Sequence, residues 1–320
     1  MADPKTPRFV QTWLADDDAA RDAARAALLA SPASVAPKFF YDRLGSHLFE
    51  AITELPEYYP TRTEAAIFAR HGAEMAAAIG TRIALIDLGA GNCAKAARLF
   101  ALLEPKRYVA VDISVDFLRD ALRTLQREQP HIAMAGLGQD FSSSLDIPVD
   151  LVGDDRPVFF YPGSSIGNFE AADALAFLRR VRARAAGGGL LIGVDLVKPK
   201  AILEAAYDDS LGVTAAFNRN LLVRANREAA ANFDLTRFAH YAPYNVEKRR
   251  IEMYLVSTAA QLVRVAGRQI AFAEGEAIHT ESSHKYTIED FRSLAVQAGF
   301  SPRAVWTDPD RLFSIHWLEA

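Results

Sequence analysis

The stretch Ile83-Ala84-Leu85-Ile86-Asp87-Leu88, running straight into Gly89-Ala90-Gly91, constrains the fold more than any other feature of the chain. An apolar run of this length, without polar alternation, reads as a strand buried on both faces, as in parallel sheets. The glycines after it permit a tight turn and a close approach of backbone to ligand. The pattern then repeats. Residues 94–103 read as a helix, 108–111 as a second buried strand ended by Asp112, and 115–128 as a second helix. Residues 132–135 read as a third strand, closing on Gly138-Gln139-Asp140-Phe141, and 158–161 as a fourth. A helix over 171–186 ends at Gly187-Gly188-Gly189 and leads into a fifth strand, 190–197. Alternating strands and helices predict an α/β fold, a doubly wound parallel sheet with right-handed crossovers.

That alternation stops near residue 198. Residues 199–241 read as mostly helical, including 203–207 and 214–227; 251–265 and 269–272 read as strands. A helix over 288–298 ends at Gly299, and strands 303–307 and 313–319 follow. On the N-terminal side, 15–29 reads as an Ala-rich surface helix broken by Pro32 and Pro37. The segment 39–63 is dense in aromatics and turn formers, and Tyr58-Tyr59 before Pro60 suits a pocket wall with hydroxyls facing in. The expected organisation is a Rossmann-like domain, 62–198 with 287–320, and a second, mixed α+β lobe, 10–61 with 199–286.

Composition narrows the function classes. With 50% hydrophobic and 24% charged residues, the chain can build a core and is not a disordered tail. Its net charge of -4 gives no global basic field for nucleic acid, and Lys248-Arg249-Arg250 reads as a solvated turn. A single cysteine, Cys93, excludes an internal disulfide and a Cys-cluster metal site. His279 and His284 flank Glu281, but five apart does not fit one helix face, so no metal is expected. Residues 1–8 are polar with two prolines, unlike a signal peptide, and no run of 18 apolar residues occurs. The default expectation is a cytoplasmic monomer that engages neither membrane nor nucleic acid.

Ligands of open parallel sheets bind beyond the carboxyl ends of the strands. Asp87, Gly89 and Gly91 stand at such an end, and Asp112 ends the next strand, where a carboxylate can accept both hydroxyls of a ribose. The plainer reading is a turn and a helix cap, but strand, G-x-G, helix, strand and acid in order favour a nucleotide. A kinase-type P-loop is excluded, since G-x-x-x-x-G-K-[ST] does not occur. A dinucleotide fingerprint stays open, with Ala94 as its third small residue. The pattern Asp87-Leu88-Gly89-Ala90-Gly91 resembles motif I of class I S-adenosylmethionine methyltransferases. That likeness implies Asp112 on the ribose, Asp140 and Phe141 beside the adenine, and the loop after the fourth strand beside the transferred methyl.

Longer motifs sharpen the resemblance. They are Phe40-Tyr41-Asp42-Arg43-Leu44-Gly45-Ser46, Leu55-Pro56-Glu57-Tyr58-Tyr59-Pro60-Thr61-Arg62-Thr63-Glu64, and the run from Phe160 to Phe169. Downstream come Ala206-Tyr207-Asp208-Asp209, the run from Gly212 to Asn218, Ile251-Glu252-Met253 and Thr280-Glu281-Ser282-Ser283. From about residue 38 onward, the chain resembles the histidine N-alpha-methyltransferase family of ergothioneine biosynthesis. The resemblance implies transfer of three methyl groups from S-adenosyl-L-methionine to the alpha-amino group of L-histidine, giving hercynine. It implies donor contacts from Gly89, Gly91, Lys95, Asp112, Asp140 and Phe141. Tyr41 and Asn168 would be catalytic, with Tyr41 and Tyr58 near the reacting amine. Asn168 and Tyr207 would bind the substrate carboxylate, with Gly163 also at the substrate. Glu281 and Ser283 would contact the imidazole, whose two nitrogens suit a carboxylate and a hydroxyl, and Met253 would shape the ring pocket. Tyr59 is expected to be structural. The loop Gly91-Asn92-Cys93-Ala94-Lys95 departs from the Ser/Thr-rich loop associated with the family.

Bland roles compete for several of these residues: a helix N-cap for Asn168, a helix end for Tyr207, and core packing for Tyr41, Tyr58 and Met253. Three other functions compete as well. One is an N-methyltransferase of another aromatic amino acid, against which Glu281 argues. Another is an NAD-dependent oxidoreductase, resting only on the glycine loop and Asp112. The last is a non-catalytic donor-binding regulator.

Overall fold

The computed structural model describes residues 6–11 and 17–320. The strands are β1 (Arg8–Gln11), β2 (Ala84–Leu88), β3 (Arg107–Asp112), β4 (Ala133–Gly138), β5 (Pro157–Tyr161) and β6 (Gly189–Asp195). They continue with β7 (Phe238–Tyr241), β8 (Tyr244–Asn245), β9 (Arg250–Ser257), β10 (Gln261–Val265) and β11 (Arg268–Phe272). Last come β12 (Ala277–His284), β13 (Ser301–Thr307) and β14 (Phe313–Glu319). The chain divides into two compact units. The first holds β1, Pro60–Val197 and Lys285–Ala320; the second holds the described part of Ala15–Tyr59 and Lys198–His284.

In the first unit eight strands form one sheet in the order β1-β4-β3-β2-β5-β6-β14-β13. The six from β1 to β6 run parallel, and β14 lies antiparallel to both β6 and β13. Order and directions are those of a class I methyltransferase sheet, as expected. The period-two side-chain alternation of a strand sorts each strand's apolar residues into two layers. Leu85, Tyr108 and Phe160 face one layer with Ile67, Met75 and Leu99; Ile86, Val109 and Phe159 face the other with Phe177 and Phe291. All five residues of β2 are buried, which is why it reads as a continuous apolar run.

Residues 10 and 11 were expected in the second lobe and belong to β1 instead. The cause is packing: the Phe9 ring covers Gly136 of β4, where a Cβ would come within 2.7 Å of it. The helix expected over 94–103 is two short pieces, Ala94–Ala97 and Phe100–Leu103. The helix expected over 15–29 spans Asp17–Leu28; Ala15 and Asp16 lie outside the described residues, as does most of the 1–8 stretch.

The second unit carries the antiparallel sheet β12-β9-β7, with β8 also pairing β9, and a separate hairpin, β10–β11. The strand expected over 251–265 is therefore two, divided after Ser257, whose hydroxyl donates to the Ala259 carbonyl and closes the turn. Helices Arg43–Thr53, Lys200–Tyr207 and Val213–Glu228 belong to this unit. The aromatic segment 39–63 is more regular than its composition suggests: Pro37–Phe40 is a 3-10 turn, and Tyr59–Ile79 is a long helix.

Candidate functional site

At the carboxyl edge of β2 and β3 the backbone is shaped to receive a ligand. Gly89 and Gly91 both have positive φ, 72° and 52°, a region glycine enters without steric cost. Open space surrounds the Gly91 Cα, since a Cβ there would meet nothing within 4 Å. The Asp112 carboxylate accepts the Gly91 N–H at 2.9 Å and the Ser114 N–H at 2.9 Å, one on each oxygen. Each oxygen keeps a further lone pair, so both can still accept a hydroxyl. Burial pushes the Asp112 carboxyl up from its ordinary range, opposed by the N–H groups of Ser114 and Gly91. Phe141 faces Gly89, its ring edge 3.6 Å from where a Cβ would stand. Asp140 is buried and accepts the Ser142 N–H at 3.1 Å. The cradle thus offers hydroxyl acceptors, an aromatic ring and bare backbone, a set of groups that fits an adenosine-bearing ligand.

Beneath the loop, Asp87 is fully buried and accepts a 2.7 Å hydrogen bond from the Tyr108 hydroxyl. Desolvation pushes its carboxyl up to about 7. Burial likewise pushes the Cys93 thiol up to about 12, so this cysteine is not a thiolate nucleophile.

The loop after β5 carries Gly163, at φ 76°, and Ser164, at φ 59°, then a 3-10 turn over Ser165–Asn168. The Ser164 hydroxyl accepts the Asp195 N–H at 2.8 Å, tying the loop to the end of β6. Asn168 ends that turn. The next helix, Ala171–Arg184, has Glu170 at its cap position, so the N-cap reading of Asn168 does not hold.

In the second unit, the motif around Tyr41 has a local cause at each step. Phe40 stacks on Phe217, with centroids 4.6 Å apart. Asp42 caps helix Arg43–Thr53 through the Gly45 N–H at 2.8 Å and accepts the Asn220 amide at 2.9 Å and Arg227 at 2.9 Å. Burial raises the Asp42 carboxyl, but these three donors outweigh it and hold it below the usual range. Gly45 is required because a Cβ there would overlap the Phe40 carbonyl. Tyr41 is thereby fixed edge-on to Phe49 at 5.7 Å and to Phe217 at 5.8 Å. Phe49 meets Tyr58 at 6.2 Å, Tyr58 meets Tyr207 at 6.5 Å, and the Tyr207 hydroxyl donates to Ser283 Oγ at 2.8 Å. Tyr41, Tyr58, Tyr207 and Ser283, far apart in sequence, thus form one continuous run. Tyr207 does end its helix, and its side chain is also engaged.

Glu281 lies directly opposite Met253 in the β12–β9 pairing, and Ser283 lies opposite Ile251. A register shift between His279 and Glu281 marks a bulge. Bulges re-aim the side chains that follow them, and this one puts Glu281 on the face shared with Met253 and Ser283. Glu281 and Ser283 are buried, so their polar groups are held out of bulk water. Tyr59 is 2% exposed and accepts from Lys198 Nζ at 2.7 Å.

Two buried or half-buried polar positions, His240 and Glu64, were not singled out in the sequence. His240 donates from Nε2 to the Tyr207 carbonyl at 2.7 Å and accepts the Asn218 amide on Nδ1 at 2.8 Å, which fixes the neutral tautomer. Desolvation lowers its pKa, keeping it uncharged. Glu64, quoted only as the end of a motif, accepts from Lys95 Nζ at 2.8 Å and from the Gly163 N–H at 2.7 Å. Neither role has a spacing signature, because the partners lie 31 and 99 residues away for Glu64 and 33 and 22 for His240. Among the described residues, no group of three His, Cys, Asp or Glu side chains can hold a metal ion, and no helix is long and apolar enough to cross a membrane.

Comparison with known proteins gives the family. Residues 20–320 match the family described as histidine-specific methyltransferase, SAM-dependent. The chain is 42% identical over 307 residues to a histidine N-alpha-methyltransferase of Mycolicibacterium smegmatis, covering 93% of this chain and 94% of that one. It is 38% identical over 285 residues to the protein of the same name from Mycobacterium tuberculosis, covering 87% and 88%. It is 30% identical over 288 residues to ergothioneine biosynthesis protein 1 of Neurospora crassa, covering 86% of this chain and 32% of the fungal one. The sheet and the family match over residues 20–320 converge: the chain belongs to the histidine-specific, S-adenosylmethionine-dependent methyltransferase family.

Proposed function

We propose that the chain is an L-histidine N-alpha-methyltransferase that transfers three methyl groups in turn to the alpha-amino group, releasing hercynine for ergothioneine biosynthesis. The observation that carries this reading is the 42% identity over 93% of the chain to a relative bearing that activity in its name. The placement of buried Glu281 and Ser283 on one strand face, with Met253 opposite Glu281, supports it, because a carboxylate and a hydroxyl side by side match the two ring nitrogens of imidazole.

When bound, S-adenosylmethionine supplies an electrophilic methyl on a sulfonium. The residues do the rest by positioning. Gly89, Gly91, Lys95, Asp112, Asp140 and Phe141 hold the donor, with Asp112 on its ribose. Asn168 and Tyr207 hold the substrate carboxylate, Gly163 lines the acceptor loop, and the Tyr41 and Tyr58 hydroxyls orient the amine. Glu281 and Ser283 hold the ring, and Met253 shapes the space around it. The amine must shed one proton before each transfer. A free alpha-amino group titrates at about 8, so no strong base is needed. Alignment of nitrogen, methyl and sulfur supplies much of the rate.

Mass spectrometry of histidine, tryptophan and tyrosine, each incubated with the protein and S-adenosylmethionine, tests the proposal. Successive additions to histidine alone, stopping at three, are expected. Methylation of tryptophan or tyrosine in its place would move the substrate to another aromatic amino acid, and donor binding without any product would leave the regulatory reading.

A further inference from the structure

We propose that Glu64 is a positioning residue that locks the donor loop to the acceptor loop. The inference rests on the methyltransferase reading above and assigns a role to a side chain outside the binding set. Glu64 lies on helix Tyr59–Ile79 and is 2% exposed. One of its carboxylate oxygens accepts from Lys95 Nζ at 2.8 Å, and the other accepts the Gly163 N–H at 2.7 Å. Lys95 is the second residue of the helix after the G-x-G turn; Gly163 is the second residue of the loop after β5. One buried carboxylate therefore bridges the two loops that must be aligned.

The surroundings are built around that carboxylate. Gly193 sits inside β6, where a glycine weakens a strand and marks a close approach. A Cβ at Gly193 would stand 2.3 Å from Glu64 Oε1, so the glycine makes the room that the carboxylate fills. A Cβ at Gly163 would come within 2.9 Å of Lys95 Nζ, so that glycine keeps the ammonium in place. A buried carboxylate is costly unless paired, and here both oxygens are taken by the two loops. The lysine gains a fixed direction in return. A free lysine stem carries rotamer entropy, which a donor would otherwise have to overcome on binding. S-adenosylmethionine also carries a net positive charge, so removing a nearby carboxylate weakens its attraction as well.

The test compares Glu64→Gln and Glu64→Ala in the full chain. The glutamine keeps a carbonyl for the Gly163 N–H but loses the ion pair with Lys95; the alanine loses both. We expect E64Q to raise the S-adenosylmethionine dissociation constant about tenfold, as for loss of one charged hydrogen bond, with the histidine KM unchanged. E64A should raise both and lower kcat about 100-fold, the scale of a small misalignment of reactants. Circular dichroism and melting curves show whether each variant is folded, and Glu64→Asp serves as the variant that retains charge if E64A is not. E64D should keep the donor affinity closer to wild type than E64Q does. Donor and histidine constants in E64Q and E64D that match wild type overturn the bridge, as does an equal rise of both constants in E64Q. The donor-binding measurement does not depend on which amino acid is methylated. A wild type that binds donor but leaves histidine unmodified defeats the substrate assignment and leaves the Glu64 result to be read on its own.

Discussion

At the carboxyl edge of β2 and β3 the backbone does the holding, whereas on β9 and β12 the side chains hold one another. Gly89 and Gly91 adopt positive φ, and the Gly91 and Ser114 N–H groups converge on one carboxylate, Asp112. Apart from Asp140 and Phe141, which follow β4, these parts lie within about one strand–turn–helix–strand unit. In the second unit, Tyr41, Tyr58, Tyr207 and Ser283 depend on Phe49 and Phe217, on the Asp42 cap and on the bulge before Glu281. The first arrangement suits a ligand common to many enzymes, because backbone groups carry little side-chain identity. The second suits discrimination, because buried polar side chains reject what cannot pair with them.

The strongest way to break this contrast is Asp112→Ala. The variant loses the proposed ribose acceptor and also frees the Gly91 and Ser114 N–H groups. Donor affinity measured by calorimetry should fall roughly 1,000-fold, two to three charged hydrogen bonds' worth, with the histidine affinity little changed. A comparable loss of both would mean that the backbone-held region is not specific to the donor.

Next in size is the cost of the charge buried under the donor loop. Desolvation raises Asp87 to about 7 in the folded chain from 3.8. Between those values the folded state binds more protons than the unfolded one, so this group's contribution to stability is full at low pH and is lost as pH rises through about 7. Urea titrations from pH 4 to 7 should show a decline of a few kcal/mol, and Asp87→Asn should flatten it while keeping an acceptor for the Tyr108 hydroxyl. An unchanged slope in D87N would assign the decline to other groups.

Glu281→Ala sharpens the other side. Loss of a buried charged hydrogen bond predicts a rise of roughly 100-fold in the histidine KM, with the donor dissociation constant unmoved. Equal weakening of both ligands would refute a ring-specific role.

The smallest effect expected is on stability. Asp42→Ala removes a helix cap and should cost about 1–2 kcal/mol, read as a lowered melting temperature. A variant of wild-type stability would show that neither the cap nor the Asn220 and Arg227 contacts to the same carboxylate stabilise this turn.

How far each region could be read from sequence follows from the same contrast. The β2–Gly89–Gly91 turn and Asp112 were legible because a buried strand, a glycine turn and a terminal acid are local signals. Glu281 and Ser283 entered only through resemblance, since no rule of spacing puts Thr280-Glu281-Ser282-Ser283 on a bulged strand opposite Met253. The helix Arg43–Thr53 was hidden by aromatic density, although Asp42 followed three residues later by Gly45 is its cap. Strand β1 was missed because four residues at a sheet edge carry almost no periodicity, and only Gly136 explains why Phe9 docks there.

What the sequence by itself determined is the parallel sheet, its order of alternation and the glycine-lined turn, because these depend on hydrophobic period and on backbone freedom a few residues apart. What only the tertiary structure decided is which distant side chains meet. The carboxylate of Glu64 finds Gly163 across 99 residues, and the hydroxyl of Tyr207 finds Ser283 across 76. Such meetings are set by the packing of whole elements on a core, where each side chain's position is the sum of many contacts and none is written in its immediate neighbours.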